Sequence, residues 1–216
     1  MTEDRVLYGY YRSSAAYRVR LALNLKGLSV AHVPIHLRKG EQLSENFSKL
    51  NPQGLVPWFQ DGQLATGQSL AIIEYLEEAY PTPALLPQNL ELRAYAREIA
   101  CIIACDIHPV GNLRVLKKLA ADYNETTEGQ GAWNRHWMQA GLAAIEARLA
   151  KTAQTFAIGN APSLADICIV PQLYNARRFG LDLTPYPRLV AIDAAARALP
   201  AFMAARPENQ PDFEEG

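Results

Sequence analysis

The chain has 216 residues, with 21 Lys and Arg against 22 Asp and Glu and 49% hydrophobic residues. That length allows one large domain or two small ones, and the composition excludes disordered, collagenous and coiled-coil chains. A net charge of -1 counts against a dedicated nucleic-acid binder, which needs a cationic face, while leaving room for a local basic pocket.

The polar, acidic start Met1-Thr2-Glu3-Asp4-Arg5 precedes an apolar segment far too short for a signal-peptide core. No window approaches the ~20 apolar residues of a membrane span. Cys101, Cys105 and Cys168 are an odd set without nearby partner ligands, so they read as small core residues in a reducing compartment. The expectation is a cytoplasmic protein with no metal, no membrane segment and no nucleic-acid partner.

In chain order, residues 5–11 are aromatic and β-branched and predict a strand. Ser13-Ser14 precede a helix over 15–27, with Leu21, Leu25 and Leu28 in helical spacing and Gly27 at its stop. Residues 29–37 predict a second strand. Residues 41–50 predict a short amphipathic helix with Leu43, Phe47 and Leu50 on one side. Asn51-Pro52-Gln53-Gly54 marks a turn. Strands at about 55–60 and 63–65 flank Asp61-Gly62, a hairpin signal. A helix follows over 69–79.

The order β-α-β-α-β-β-α implies a mixed four-stranded sheet covered by helices, because its last two strands form a hairpin. Tyr80–Pro87 holds three prolines in eight residues and makes a stiff linker. Beyond it every segment reads as helix: 90–119, kinked near Pro109-Val110-Gly111, then 128–151, 163–179 and shorter helices within 188–205. The tail from Pro207 reads as an extended, loosely held end. The expected domains are 1–82, α/β, and 88–216, all-α.

Three clusters carry possible chemistry. Ser13 and Ser14 put hydroxyls and backbone N–H groups at a helix N-terminus, where an anion such as a thiolate is favoured; the ordinary role of such serines is N-capping. Val56-Pro57 begins a short strand with a proline, which suits a cis peptide or a strand edge open to a ligand backbone. Gln68-Ser69 place donors at another helix start, suited to a carboxylate. Ser163-Leu164-Ala165-Asp166 is a capping box with Pro162 and Ile167 as its staple, a folding device.

These pieces together resemble the cytosolic glutathione transferases, and within them the zeta class. The resemblance is carried by Tyr10-Tyr11-Arg12-Ser13-Ser14, Tyr17–Leu23, Leu50-Asn51-Pro52, Val56-Pro57, Gln68–Glu78, Pro81-Thr82-Pro83, Leu85-Leu86-Pro87 and Asp182–Pro187, and covers nearly the whole chain. It implies an N-terminal thioredoxin-like domain, an all-helical C-terminal domain, a homodimer and reduced glutathione as cofactor. It further implies that Ser13, with Ser14 beside it, stabilises the glutathione thiolate. Gln42 would reach the glycine end, Val56 before a cis Pro57 would pair with the cysteinyl backbone, and Gln68 and Ser69 would hold the γ-glutamyl group.

Two departures stand out: Ala15 replaces the usual zeta cysteine, and His108-Pro109 stands where the animal pattern has glutamine. That histidine is similar to the bacterial maleylpyruvate isomerase variant. Imidazole, ordinarily titrating near 6.5, suits the thiol proton, although a lone helical histidine is more often a packing residue. Asn112 and Arg114 follow it. Arg178, with Arg12, would clamp the carboxylates of an acidic substrate.

The activity implied is glutathione-dependent cis–trans isomerisation of maleylacetoacetate to fumarylacetoacetate, in aromatic amino acid catabolism, through reversible thiolate addition. The alternatives are the same chemistry on maleylpyruvate, a zeta-class transferase acting on α-halo acids, and, last, a non-enzymatic glutathione-fold binding protein.

Overall fold

A computed structural model describes residues 5–215. The chain divides into two compact units. One comprises the described residues up to Leu85 together with those from Ala198 onward; the other is Leu86–Arg197. The terminal segment, assigned from sequence to the helical domain, thus belongs with the α/β unit.

In the first unit, β1 (Arg5–Gly9), β2 (Ala31–Pro34), β3 (Trp58–Asp61) and β4 (Leu64–Gly67) form one sheet in the order β2-β1-β3-β4. β1 runs parallel to β2, and β3 is antiparallel to both β1 and β4. The parallel pair needs a crossover, which α1 (Ser14–Leu25) supplies, whereas β3 and β4 need only the turn at Gly62. Every residue of α1 from Ser14 to Leu23 is buried. The helix ends where Gly27 takes φ +65° and the Leu28 N–H returns to the Leu23 carbonyl, a Schellman closure.

The expected second helix splits into a 3₁₀ turn, Glu41–Leu43, and α2 (Glu45–Leu50), because the Ser44 hydroxyl caps a fresh start at the Phe47 N–H. Of its three apolar positions only Phe47 is buried; Leu43 is 70% exposed. α3 spans Ser69–Ala79.

The helical unit contains α4 (Leu90–Cys101), α5 (Leu113–Tyr123), α6 (Thr127–Thr152), α7 (Leu164–Arg178) and α8 (Pro187–Arg197). The predicted 90–119 helix is interrupted twice. A π-helical turn occupies Ile102–Ile107, and Asn112 leaves helical geometry at ψ 149° to cap α5. Gly141 on α6 gives that wide turn its room, since a Cβ there would sit 2.3 Å from Ile107 Cδ1. The core positions Ala96, Ile99, Ala100, Ile103 and Ile107 face inward. Cys101 and Cys105 fall on the opposite face and are exposed, contrary to their reading as core residues; Cys168 is buried as expected.

The tail is anchored, not loose. After α9 (Pro200–Ala204) it makes a 3₁₀ turn at Pro207–Asn209 and returns over the first unit. There Asp212 accepts the Tyr11 N–H at 2.9 Å.

The capping box at the start of α7 is formed. Asp166, fully buried, accepts the Ala157 N–H at 2.8 Å, the Ser163 N–H at 2.8 Å and the Ser163 hydroxyl at 2.9 Å. Burial outweighs these bonds and pushes its carboxyl up to about 6 from 3.8. Asp166→Ala, leaving three buried donors unpaired, is expected to cost at least about 3 kcal/mol in urea denaturation. Between the two pKa values the native state holds a proton that the unfolded chain has released. The stability Asp166 contributes therefore declines as pH rises from about 4 to about 6, and the wild-type-minus-variant gap narrows over that window.

Candidate active site

The strand register gathers the first unit's candidate residues at one end of the sheet. Gly9 pairs with Pro34 at the carboxyl ends of β1 and β2, Tyr8 pairs with Trp58 at the start of β3, and Trp58 pairs with Gly67 at the end of β4. The segments leaving that end therefore include Arg12–Ser14, the loop to Gln42, Val56-Pro57 and Gln68-Ser69. With strands about 4.8 Å apart, the first, third and fourth of these groups span on the order of 10 Å. The carboxyl end of parallel strands is where sheets of this kind bind ligands.

Ser13 caps α1 in extended geometry, φ -69° and ψ 115°, and its hydroxyl oxygen accepts the Ala16 N–H at 3.2 Å. Capping occupies a lone pair and leaves the O–H to donate elsewhere, so capping and anion binding are compatible. Ser14 is buried beside it. The adjacent Tyr10 phenol is pushed up to about 12, mainly by burial, and so stays neutral at physiological pH. Arg12, half-buried, lies 6.0 Å from the Tyr11 ring centroid.

The Val56–Pro57 peptide is cis. Gln42 is buried, and its Oε1 has no hydrogen-bond partner among the described residues. A buried acceptor in that condition marks a polar group placed for something else.

Gln68 adopts φ 66°, unfavourable for a residue with a Cβ, at the start of α3. Such strain clusters at ligand sites. Its amide donates to Gln53 Oε1 at 2.9 Å. Ser69, 5% exposed, accepts from the guanidinium of the buried Arg18 at 3.2 Å.

Gln53 and Arg18 had no role in the sequence reading. Gln53 was visible only as part of a turn. Arg18 sits in a helix whose burial from Ser14 to Leu23 the sequence conceals.

In the helical unit, His108 closes the π turn, its N–H donating to the Ile103 carbonyl at 2.9 Å. Asn112 accepts the Arg114 N–H at 3.1 Å as the α5 cap. Arg114 then lies exposed in the first turn of α5, where the helix dipole disfavours a cation.

Arg177 pairs with the buried Asp193 at 2.6 Å, which makes it structural. Arg178 is exposed, bonded to Asn175 Oδ1 at 2.9 Å and lying over the Phe179 ring. Two α6 residues bring these regions to one end of the unit. The Trp133 indole donates to the Val110 carbonyl at 2.8 Å, and Arg135 donates to the Phe179 carbonyl at 3.2 Å.

A four-stranded mixed sheet with hydroxyls at the head of its crossover helix, accompanied by an all-helical unit, defines a thioredoxin-fold protein of the ligand-binding two-domain kind. Residues 7–84 match the glutathione S-transferase N-terminal domain and residues 138–204 the C-terminal domain. A probable maleylacetoacetate isomerase of Vibrio cholerae is 50% identical over 96% of this chain and 97% of its own.

The holo structure of a bacterial maleylpyruvate isomerase, a zeta-class glutathione S-transferase, superposes with TM-score 0.95 at 45% identity, covering 97% of this chain and all of the other. A maleylacetoacetate isomerase of Methylobacterium extorquens, with bound malonate and GSH, gives 0.93 at 38% identity over 97% of this chain and 100% of its own. The chain belongs to the glutathione S-transferase family, on its zeta-class branch.

The strain at Gln68 can be measured. Gln68→Gly and Gln68→Ala both lose the bond to Gln53, but only glycine relieves the positive φ. The glycine variant should be the more stable of the two by about 1 kcal/mol in chemical denaturation.

Proposed function

We propose that this protein is a glutathione-dependent cis–trans isomerase converting maleylacetoacetate to fumarylacetoacetate. The observation that carries the reading is the Ser13-Ser14 pair at the head of α1, on the same sheet end as Val56-Pro57 and Gln68-Ser69. The cradle fits glutathione. Hydroxyls at a helix N-terminus suit a thiolate, the strand start at Val56 suits an extended peptide backbone, and Gln68 and Ser69 suit the γ-glutamyl end. Gln42, whose buried acceptor is otherwise unused, is assigned to the glycine end.

When bound, glutathione supplies a thiolate that adds reversibly to the cis double bond and departs after rotation about the resulting single bond. The work of this chain is then electrostatic and positional. Ser13 donates its O–H toward the sulfur while its oxygen caps Ala16, and the dipole of α1 favours the anion. Arg12, Arg114 and Arg178 are assigned to the carboxylates of the substrate and to the negative charge that develops beside them.

The placement of Arg114 against the dipole of its own helix supports a binding role, because an anionic ligand offsets that conflict. His108 and Asn112 are assigned beside the sulfur chemistry on the family likeness. The malonate bound in the Methylobacterium extorquens neighbour supports a small dicarboxylate as the ligand class.

Maleylpyruvate is the second reading. It is favoured by His108 and by the likeness to a maleylpyruvate isomerase at TM-score 0.95. The same reading carries a cytoplasmic homodimer, on family likeness; among the described residues no helix is long and apolar enough to cross a membrane.

Incubation with glutathione and each cis substrate, following the trans product, should show glutathione-dependent turnover of at least one. No turnover of either, with glutathione still bound, overturns the reading. Ser13→Ala should lower kcat by about 100-fold. Arg178→Lys should raise KM for the dicarboxylate more than it lowers kcat, since lysine cannot reproduce a bidentate contact.

A further inference from the structure

The backbone leading into Ser13 is held from the far end of the chain. A turn runs from Tyr10 to Ser13, closed by the Ser13 N–H on the Tyr10 carbonyl at 2.9 Å. Two partners outside the turn hold the backbone of Tyr10 and Tyr11. Arg20, on α1, donates to the Tyr10 and Tyr11 carbonyls at 3.5 and 2.9 Å. Asp212, in the tail, accepts the Tyr11 N–H at 2.9 Å.

The tail holds the Tyr11 side chain as well. The phenol donates to the Glu214 carbonyl at 3.1 Å, and the ring meets Phe213 edge-on at 5.4 Å. The Glu214 carboxylate is in turn gripped by His36 at 3.0 Å and Lys39 at 3.4 Å, on the loop that follows β2. Gln210 fixes the base of the segment, donating to the Ala204 and Arg206 carbonyls at 2.9 and 2.8 Å.

We propose that Gln210–Glu214 is a strap that sets the Tyr10–Ser13 turn, with Asp212 and Glu214 as positioning residues for the thiolate site at Ser13; this rests on the glutathione reading above. The strap packs on the buried Tyr11 through Phe213 and fixes its backbone through hydrogen bonds. A partly open cleft of about 140 Å³ lies beside it, lined by Leu7, Gly9, Arg20, Val33, Pro211 and Asp212 among others, so on that side the hydrogen bonds hold the turn.

A shift in that turn moves the Ser13 hydroxyl and Arg12 together, because Arg12 lies against the same Tyr11 ring. The useful property of Asp212 is its acceptor oxygen. A negative charge near a thiolate is unhelpful, so asparagine, which keeps an acceptor oxygen, should substitute.

The test compares Asp212→Ala and Asp212→Asn in the full chain by two measurements. The first is amide hydrogen exchange at Tyr11 and Ser13 in the protein alone. The second is the titration of the bound glutathione thiol, followed by thiolate absorbance. Asp212→Ala should speed Tyr11 exchange about tenfold or more, the loss of one hydrogen bond to a charged group. It should also raise the bound-thiol pKa by at least about 0.5. Asp212→Asn should stay near wild type in exchange and leave the bound-thiol pKa no higher than wild type.

Tyr11→Phe, a milder change that loses the bond to Glu214, should move both in the same direction by less, and serves if Asp212→Ala does not fold. Unchanged exchange in Asp212→Ala overturns the strap. Faster exchange with an unmoved thiol titration overturns the positioning role, and equal losses in both Asp212 variants overturn the hydrogen bond as its cause. A wild-type bound thiol that titrates as in free glutathione removes the thiolate reading and the positioning role with it, while exchange still decides the strap.

Discussion

The first unit depends on the burial of α1. In a helix covered from Ser14 to Leu23 each cation needs polar partners, because an unpaired buried charge costs several kcal/mol. Its basic residues therefore dictate what surrounds it. Arg18 takes the Ser69 hydroxyl at the head of α3. Arg20 takes the Tyr10 and Tyr11 carbonyls and that of Ala205, just beyond α9. Lys26, at the helix end, takes Glu77 and the Tyr80 and Pro83 carbonyls, and so secures the start of the proline-rich linker. Two cations on α1 and a third at its C-cap tie together α3, the linker, the terminal segment and the turn that carries Ser13.

That arrangement gives the site its rigidity. The groups assigned to glutathione lie on loops and helix heads at one end of the sheet, where backbone N–H groups remain for a ligand. Loops so placed are ordinarily mobile, yet here three of these segments are tied back. The Tyr10–Ser13 turn is held by Arg20 and Asp212, the Asn51–Gly54 turn by the Asn51 side chain, and Gln68 by Gln53. The strained backbone at Gln68 persists because its surroundings over-determine it. At Ser13 the oxygen caps the helix while its hydrogen remains available for the proposed thiolate.

Much of this was legible in order along the chain. Each predicted strand of the β-α-β-α-β-β-α pattern exists, α3 begins and ends at its predicted residues, and the Asp61-Gly62 hairpin and the α7 capping box formed as read. These features are local: a turn, a cap or a run of apolar residues specifies them within a few positions. The misreadings share a different cause. Leu43 follows the helical spacing of Phe47 but faces solvent, because a 3₁₀ turn and a new cap intervene. Cys101 and Cys105 look like core residues by type, but their register places them off the buried face of α4 and the π turn that follows it. The acidic tail reads as loose because its partners, Tyr11, His36 and Lys39, lie roughly 175 to 203 positions away.

By itself the sequence determined the element order, the split at the prolines and, through the Ser13-Ser14, Val56-Pro57 and Gln68-Ser69 clusters, which residues head the helices and strands of the site. Periodicity and capping are properties of neighbours in the chain, so they can be read without coordinates. Only the tertiary structure decided which charges are buried and what satisfies them. It showed that Arg177 serves Asp193 while Arg178 stays exposed, that Gln42 buries an unused acceptor, and that Asp212 and Glu214 bond Tyr11 in the turn before Ser13. The near-zero net charge of the opening count is an average over such placements; burial, which sets the energetic weight of each charge, exists only once the chain has folded.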